Sequence, residues 1–224
     1  MNILSAIKGF VMKLLNITQI ETVTKTANVL SSEMKSRIEL WARMYAGCAE
    51  WQNEASSCGV EKAIAGALST PITEEIKIDS ENEELKKIMD KLQKDVSIIM
   101  EYFVSFGGCL LRPVFSNGRV QYEINHLGNY IPLSYDIDGS LTGAIITKRI
   151  SENGKEFLLC EKHTYKNKNH YVDSSLFAID NGQIGKEVGL AATEQTADIT
   201  PSFVWENVER PFIIEFRNRE ANKI

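Results

Sequence analysis

No apolar run in this chain approaches the roughly 20 residues that a membrane-spanning helix needs. Cysteine is scarce: Cys48, Cys58, Cys109 and Cys160 are the only four, and none forms a C-x-x-C pair. That excludes a disulfide-stapled scaffold and points to a reducing, cytosolic history. An excess of basic residues is also missing. The net charge of −5 and the pI of about 5.4 exclude tight binding that draws its affinity from neutralising phosphates. DNA passing nearby without tight binding remains compatible with that balance. No Walker A sequence, G-x-G-x-x-G, H-E-x-x-H or G-x-S-x-G occurs, so the familiar nucleotide, zinc-protease and serine-hydrolase signatures are lacking. No internal repeat or low-complexity segment is present.

What remains is the composition of a globular protein, 43% hydrophobic and 25% charged, long enough for one large domain or two small ones. The opening segment, MNILSAIKGFVMKLLN, places Ile3, Ile7, Phe10 and Leu14 at helical spacing and carries Lys8 and Lys13 within the apolar run. It reads as an amphipathic helix that packs on protein, not as a signal peptide. Residues 31–53 repeat the pattern, with Met34, Ile38, Trp41, Tyr45 and Cys48 on one face and Ser31 or Ser32 as N-cap. The Ala-rich VEKAIAGALS is a short helix that Pro71 should stop. ITEEIKI, residues 72–78, alternates as a short strand does. A long helix then starts near Ser80, where Ser80 and Glu83 fit a capping box. It keeps its period through Leu85, Met89, Leu92, Val96, Ile99 and Phe103, and ends at Gly107 and Gly108.

From Cys109 onward the period changes to two. CLLRPVF and RVQYEI flank Asn117-Gly118, a strong hairpin signal. YIPLSY, LTGAIITKRI, EFLLCEKHTY, HYVDSSLFAI and PFIIEF follow, separated by the turn sequences DIDG, ENG, NKN and DNG. The expected fold class is therefore α+β, N-terminal helices followed by an antiparallel β-meander. Residues 1–106 form a mainly helical part with one short strand, and residues 107–224 an antiparallel β part. Pro113 suggests that the first strand is an edge or carries a bulge.

Catalytic, cofactor and metal sites are not expected. Cys109 at the Gly107-Gly108 junction could act as a nucleophile if His126, His163 or His170 supplied a base. A small buried hydrophobe is the plainer reading of a cysteine that opens an apolar strand. Cys160 and His163 have C-x-x-H spacing, but on a strand they point to opposite faces and lack a second ligand pair. Asp136, Asp138 and Ser140 open like a calcium loop, yet Leu141 and Thr147 stand where glycine and glutamate belong. Trp41, Tyr45 and Trp51 are the more informative set, either core or subunit-interface anchors.

RIELWARMYAGCAEW resembles the W-x-x-x-Y…W helix near the start of tailed-phage portal proteins, most closely the type found in siphophages of Gram-positive hosts. VEKAIAGALSTPITEEIKI looks like that family's next segment, an Ala-rich helix running into a T-x-E strand. EYFVSFGGCLLRPVFSNGRVQYEINHLGNYIPLSYDIDGSLTGAIITKRI is similar to its helix ending in Gly-Gly, its hairpin, its aromatic–Pro segment and its D-x-D-G turn. FVWENVERPFIIEFRNREAN resembles the strand that follows. The likeness spans essentially the whole chain in the right order.

It implies a portal wing-like region and a structural, non-enzymatic role at one vertex of the virion, with assembly in the host cytoplasm. Full-length portals form homo-oligomeric rings, usually dodecameric, through which double-stranded DNA is packaged and ejected without sequence-specific binding. The expected partners are the terminase large subunit, scaffold or capsid protein and head-completion proteins, with no cofactor and no membrane. Such portals run well beyond 224 residues, so the resemblance covers the N-terminal wing and not the stem, clip or crown. The same element order also suits another minor capsid or head–tail connector protein, and a cysteine-dependent enzyme is a further alternative.

Overall fold

The computed structural model describes residues 17–46, 60–116 and 119–217. It is mixed α+β. Among the described residues four helices, α1 (Ile17–Thr24), α2 (Ser32–Tyr45), α3 (Val60–Glu75) and α4 (Glu83–Phe106), precede nine strands. The strands are β1 (Gly108–Ser116), β2 (Arg119–His126), β3 (Tyr130–Tyr135), β4 (Leu141–Glu152), β5 (Lys155–Lys166), β6 (Asn169–Asp180), β7 (Gln183–Val188), β8 (Ser202–Trp205) and β9 (Ile214–Arg217). They make two sheets, β2-β1-β9 and β3-β4-β5-β6-β7, with β8 pairing the other half of β6 beyond β7.

The chain divides into two compact units, Met1–Glu39 with Gly128–Ile214, and Leu40–Leu127 with Glu215–Ile224. The change from helix to strand falls at residue 107, but the packing boundaries fall elsewhere. Each unit combines helix and sheet, because an amphipathic helix and a half-apolar sheet bury their faces on one another.

The first unit is built on a long antiparallel meander. Three hairpins turn on two residues: Glu152 faces Lys155, Lys166 faces Asn169 and Asp180 faces Gln183. Both central residues have positive φ in each turn, at Asn153-Gly154, Asn167-Lys168 and Asn181-Gly182. Type I′ geometry of this kind matches the natural twist of the strands. One sheet face buries Ile150, Phe157, Leu159 and Leu176 under Val188, Leu190 and Ile199. The α1 helix meets β7 through Gln19, whose side chain bonds that of Gln183 and accepts the Ile184 amide. Neither β7 nor β8 is signalled in the sequence by apolar alternation.

In the second unit α4 lies on the β1–β2 hairpin. Ile99, Cys109 and Leu111 form its core with Leu92, Tyr102, Tyr122 and Ile124. Arg112, on the other face of β1, pairs with Glu123 directly across the ladder at 2.8 Å. Gly107 closes α4 with φ +75 and its amide on the Phe103 carbonyl at 2.9 Å, as the glycine pair predicts. Ser116 faces Arg119, which leaves the two-residue connection expected of Asn117-Gly118, themselves outside the described residues.

Four expectations are corrected. Pro71 does not stop α3, which continues to Glu75. The proline takes one N–H from the helical ladder, the one that would face the Ala67 carbonyl, and the flanking hydroxyls back-bond within the same turns: Ser69 and Thr70 both donate to the Gly66 carbonyl at 2.9 Å, and Thr73 donates to the Thr70 carbonyl at 2.8 Å.

Residues 72–78 are not a strand. Residues up to Glu75 are helical, and beyond them the Gln93 side chain donates to the Ile76 carbonyl at 2.8 Å and accepts the Ile78 amide at 2.7 Å. One side-chain amide on α4 thus takes the place of a neighbouring strand.

The cap of α4 is Asn82, whose Oδ1 accepts the Leu85 amide at 3.3 Å, while Ser80 bonds the Asn82 amide at 3.2 Å one turn earlier.

Finally, β1 is the central strand of its sheet and runs past Pro113 without a bulge. The backbone of β9 meets β1 at Gly108, where a Cβ would come within 2.6 Å of the Phe216 carbonyl oxygen. With only four residues, β9 does not extend to Pro113. The missing proline N–H therefore costs the ladder nothing on that side.

Candidate functional site

The sequence's aromatic set leads to a groove in the second unit. Trp41, Met44 and Tyr45 project from the last turns of α2, toward Ile64 and Ala65 on α3 and Val104 and Ser105 on α4. Together they line a hollow of about 240 Å³. Ser31 immediately precedes α2, and its Oγ accepts the Met34 amide at 3.1 Å, so Ser31 is the cap. Trp41 and Tyr45 then fall one turn apart on a single face. Trp51 and Cys48 lie outside the described residues.

Tyr45 anchors the floor. Its hydroxyl donates to the Glu101 carboxylate, and its ring meets Phe106 at 5.2 Å and Tyr102 at 6.2 Å. Burial, and then the adjacent Glu101, push the Tyr45 phenol above its ordinary range, so it stays a proton donor at any physiological pH. Phe106 in turn stacks on His126 at 4.4 Å with the rings 13° from parallel. The groove rim is apolar and open: Ile64 is 53% exposed and Leu68, one turn further along α3, 56%. A satisfied polar floor beneath exposed apolar walls offers chemistry suited to holding an apolar side chain.

The glycine–cysteine junction is structural in its geometry. Cys109 is fully buried and sits directly opposite His126 in the β1–β2 register. Burial, and secondarily the charge of Glu215, push the Cys109 thiol up to about 12, and burial holds His126 down near 4. At neutral pH only about one thiol in 10⁵ would be ionised, and the imidazole beside it is a weak base. The structure thus brings together a thiol and an imidazole, but in the protonation states that disfavour a thiolate–imidazolium pair.

Cys160 and His163 point to opposite sheet faces, as their spacing requires, and burial drives the Cys160 thiol up to about 12. The Asp136–Ser140 turn uses its acids on its own backbone. Asp136 Oδ1 accepts the Ile137 amide and Asp138 Oδ1 the Ser140 amide, both at 2.7 Å. Among the described residues no group of three or more His, Cys, Asp or Glu could hold a metal ion. No described helix is long and apolar enough to cross a membrane.

Sequence reasoning missed one buried polar cluster. His163 and His170, on neighbouring strands, share a hydrogen bond of 3.0 Å between His163 Nδ1 and His170 Nε2. Their seven-residue separation spans the β5–β6 turn, so the hairpin signal at NKN could have placed them on one face. Compared with protein-family models and with curated proteins, the chain matches none.

Proposed function

We propose that this chain is the wing-type region of a tailed-phage portal protein, a structural subunit of the ring at one capsid vertex. The observation that carries the reading is the order of its signatures along the sequence. The Trp41–Tyr45 helix comes first, then the Ala-rich helix. The long helix closed by Gly107-Gly108 and its hairpin follow, then the aromatic–Pro strand at Tyr130–Pro132 and the Asp136–Gly139 turn. The apolar groove at Trp41 suits a protein that works by packing against others, since aromatic anchors concentrate interface energy.

In this reading the terminase large subunit, scaffold or capsid protein and head-completion proteins are partners of the whole ring. Double-stranded DNA traverses it without base-specific contact. The acidic net charge of −5 is consistent with a surface that does not hold DNA back.

Electron microscopy of the purified full-length gene product, and immunolabelling of phage heads with antibodies to this chain, test the proposal. Closed rings and label at a single vertex are the expected result. A gene product that stays monomeric and is absent from heads overturns it.

A further inference from the structure

The buried histidine pair lies beneath residues 206–213, the segment between β8 and β9. Four polar contacts pin that segment to the end of the β5–β6 hairpin. The Val208 amide donates to the Lys168 carbonyl at 2.8 Å, and the Asn207 amide to Asn169 Oδ1 at 3.3 Å. The Tyr165 hydroxyl lies 3.0 Å from the carbonyls of both Val208 and Glu209. The fourth contact is the Phe212 amide, which donates to His170 Nδ1 at 3.4 Å. Trp205 and Phe212 wall in the His170 ring, with centroids at 5.8 and 5.4 Å, and the ring is fully buried.

These bonds assign the tautomers. His170 Nδ1 accepts from Phe212, so neutral His170 carries its proton on Nε2 and donates it to His163 Nδ1. Neutral His163 then carries its own proton on Nε2, which lies 4.0 Å from Glu161 Oε2. Both unprotonated ring nitrogens are already accepting an N–H. A further proton has no vacant lone pair to take, and its arrival must break one of the two bonds.

Glu161 decides which. A cation on His163 is stabilised by the carboxylate, and His163 Nδ1 then becomes a donor to His170 Nε2. His170 must move its proton to Nδ1, where it meets the Phe212 N–H head-on.

We propose that proton uptake by the His163–His170 pair is passed to the Phe212 amide and unpins residues 206–213, making this segment a pH-sensitive latch. The latch leads directly into β9, the strand that joins β1 in the other sheet.

The sheet face that carries the pair also holds Glu161 and Tyr165 from β5, Tyr130 from β3 and Lys148 from β4, with Lys155 of β5, Glu152 of β4 and Asp180 of β6 at its far end, while β8 supplies no charge. Glu206, Glu209 and Arg210 of the latch itself are exposed. Burial, and secondarily the neighbouring His163, hold His170 down near 4, well below the ordinary histidine value. The latched form therefore resists protonation, and the open form accepts protons at higher pH. This inference is independent of the portal reading.

Hydrogen exchange of the Phe212 and Val208 amides, corrected for intrinsic rates, tests it on the full chain between pH of about 7.5 and about 4.5. Linkage predicts at least an approximately tenfold loss of protection across that range. Cleavage by a glutamate-specific protease after Glu209 should rise in parallel. His170→Asn offers an amide oxygen to Phe212 and does not titrate, so its protection should stay flat. Should that variant not fold, His163→Gln should shift the wild-type transition to lower pH. Wild-type protection that does not change with pH overturns the latch. So does a His170→Asn response equal to the wild type, or a His163→Gln transition at an unchanged pH.

Discussion

Cys109 faces His126 directly across the β1–β2 ladder, and burial drives the two groups in opposite directions, the thiol up and the imidazole down. Charge separation between them is therefore unfavourable, and the pair packs as neutral groups against Ile99 and Tyr102. Its chemistry should be that of a core contact.

Alkylation of Cys109 by iodoacetamide in the folded protein should accordingly be slow. Peptide mass spectrometry should find it labelled at least about 100-fold more slowly than after denaturation, because both thiolate fraction and access are low. Cys109→Ala should fold with a loss of about 1–2 kcal/mol, set by the cavity left behind. Rapid labelling at neutral pH would instead restore the case for a reactive thiol.

Stability should decline on acidification. His126 and His170 are both held near 4 when folded, against an ordinary value near 6.5. Between those values the unfolded chain binds more protons than the folded one, so stability rises with pH across that window. It is fully present above about 6.5 and is lost progressively as pH falls toward 4. Urea midpoints at a series of pH values check this. His126→Phe should flatten the acid side of the profile, since it keeps the stack on Phe106 without the titrating ring.

Two glycines should respond to alanine with opposite signs. At Gly108 a methyl group would meet the Phe216 carbonyl oxygen at 2.6 Å, and that atom is backbone. Gly108→Ala should push β9 away from β1 and cost at least about 2 kcal/mol. Gly66 lies inside α3, and a Cβ there would meet nothing within 4 Å. Gly66→Ala should stabilise by up to about 1 kcal/mol through helix propensity and the unfolded-state entropy. Thermal unfolding of the two variants should move the midpoint in opposite directions.

Gln93 should matter more than a half-buried glutamine usually does. Gln93→Ala removes both partners of the Ile76 carbonyl and the Ile78 amide and should cost about 1–3 kcal/mol. Gln93→Glu keeps the acceptor for Ile78 and loses the donor to Ile76. Exchange of the Ile78 amide should be fast in the alanine variant and remain protected in the glutamate one.

The errors at Pro71 and at residues 72–78 share a physical origin with the missed histidine pair. Proline at position 71 and alternation over 72–78 are sound local signals. The helix runs through Pro71 to Glu75 all the same, and the backbone groups of Ile76 and Ile78 are satisfied by an amide 15 to 17 residues away. The groove was half legible. Periodicity placed Trp41 and Tyr45 on one face of α2, but only packing supplied Ile64 and Val104 opposite them. No spacing rule joins His163 to the Phe212 amide through His170, because Phe212 lies 42 positions beyond His170, past β7, β8 and the loops around them.

By itself the sequence determined what depends on a few neighbouring residues. It set the period of α4, its end at Gly107, the type I′ turns at Asn153-Gly154 and Asn181-Gly182, and hence the α+β order and the meander. Tertiary structure decided which distant segments became neighbours: β9 against β1, β8 against β6, Gln93 against residues 76–78, and the latch over His170. Backbone conformation responds to steric rules only a few residues long, whereas burial and hydrogen-bond pairing are satisfied by whichever groups the fold brings within reach.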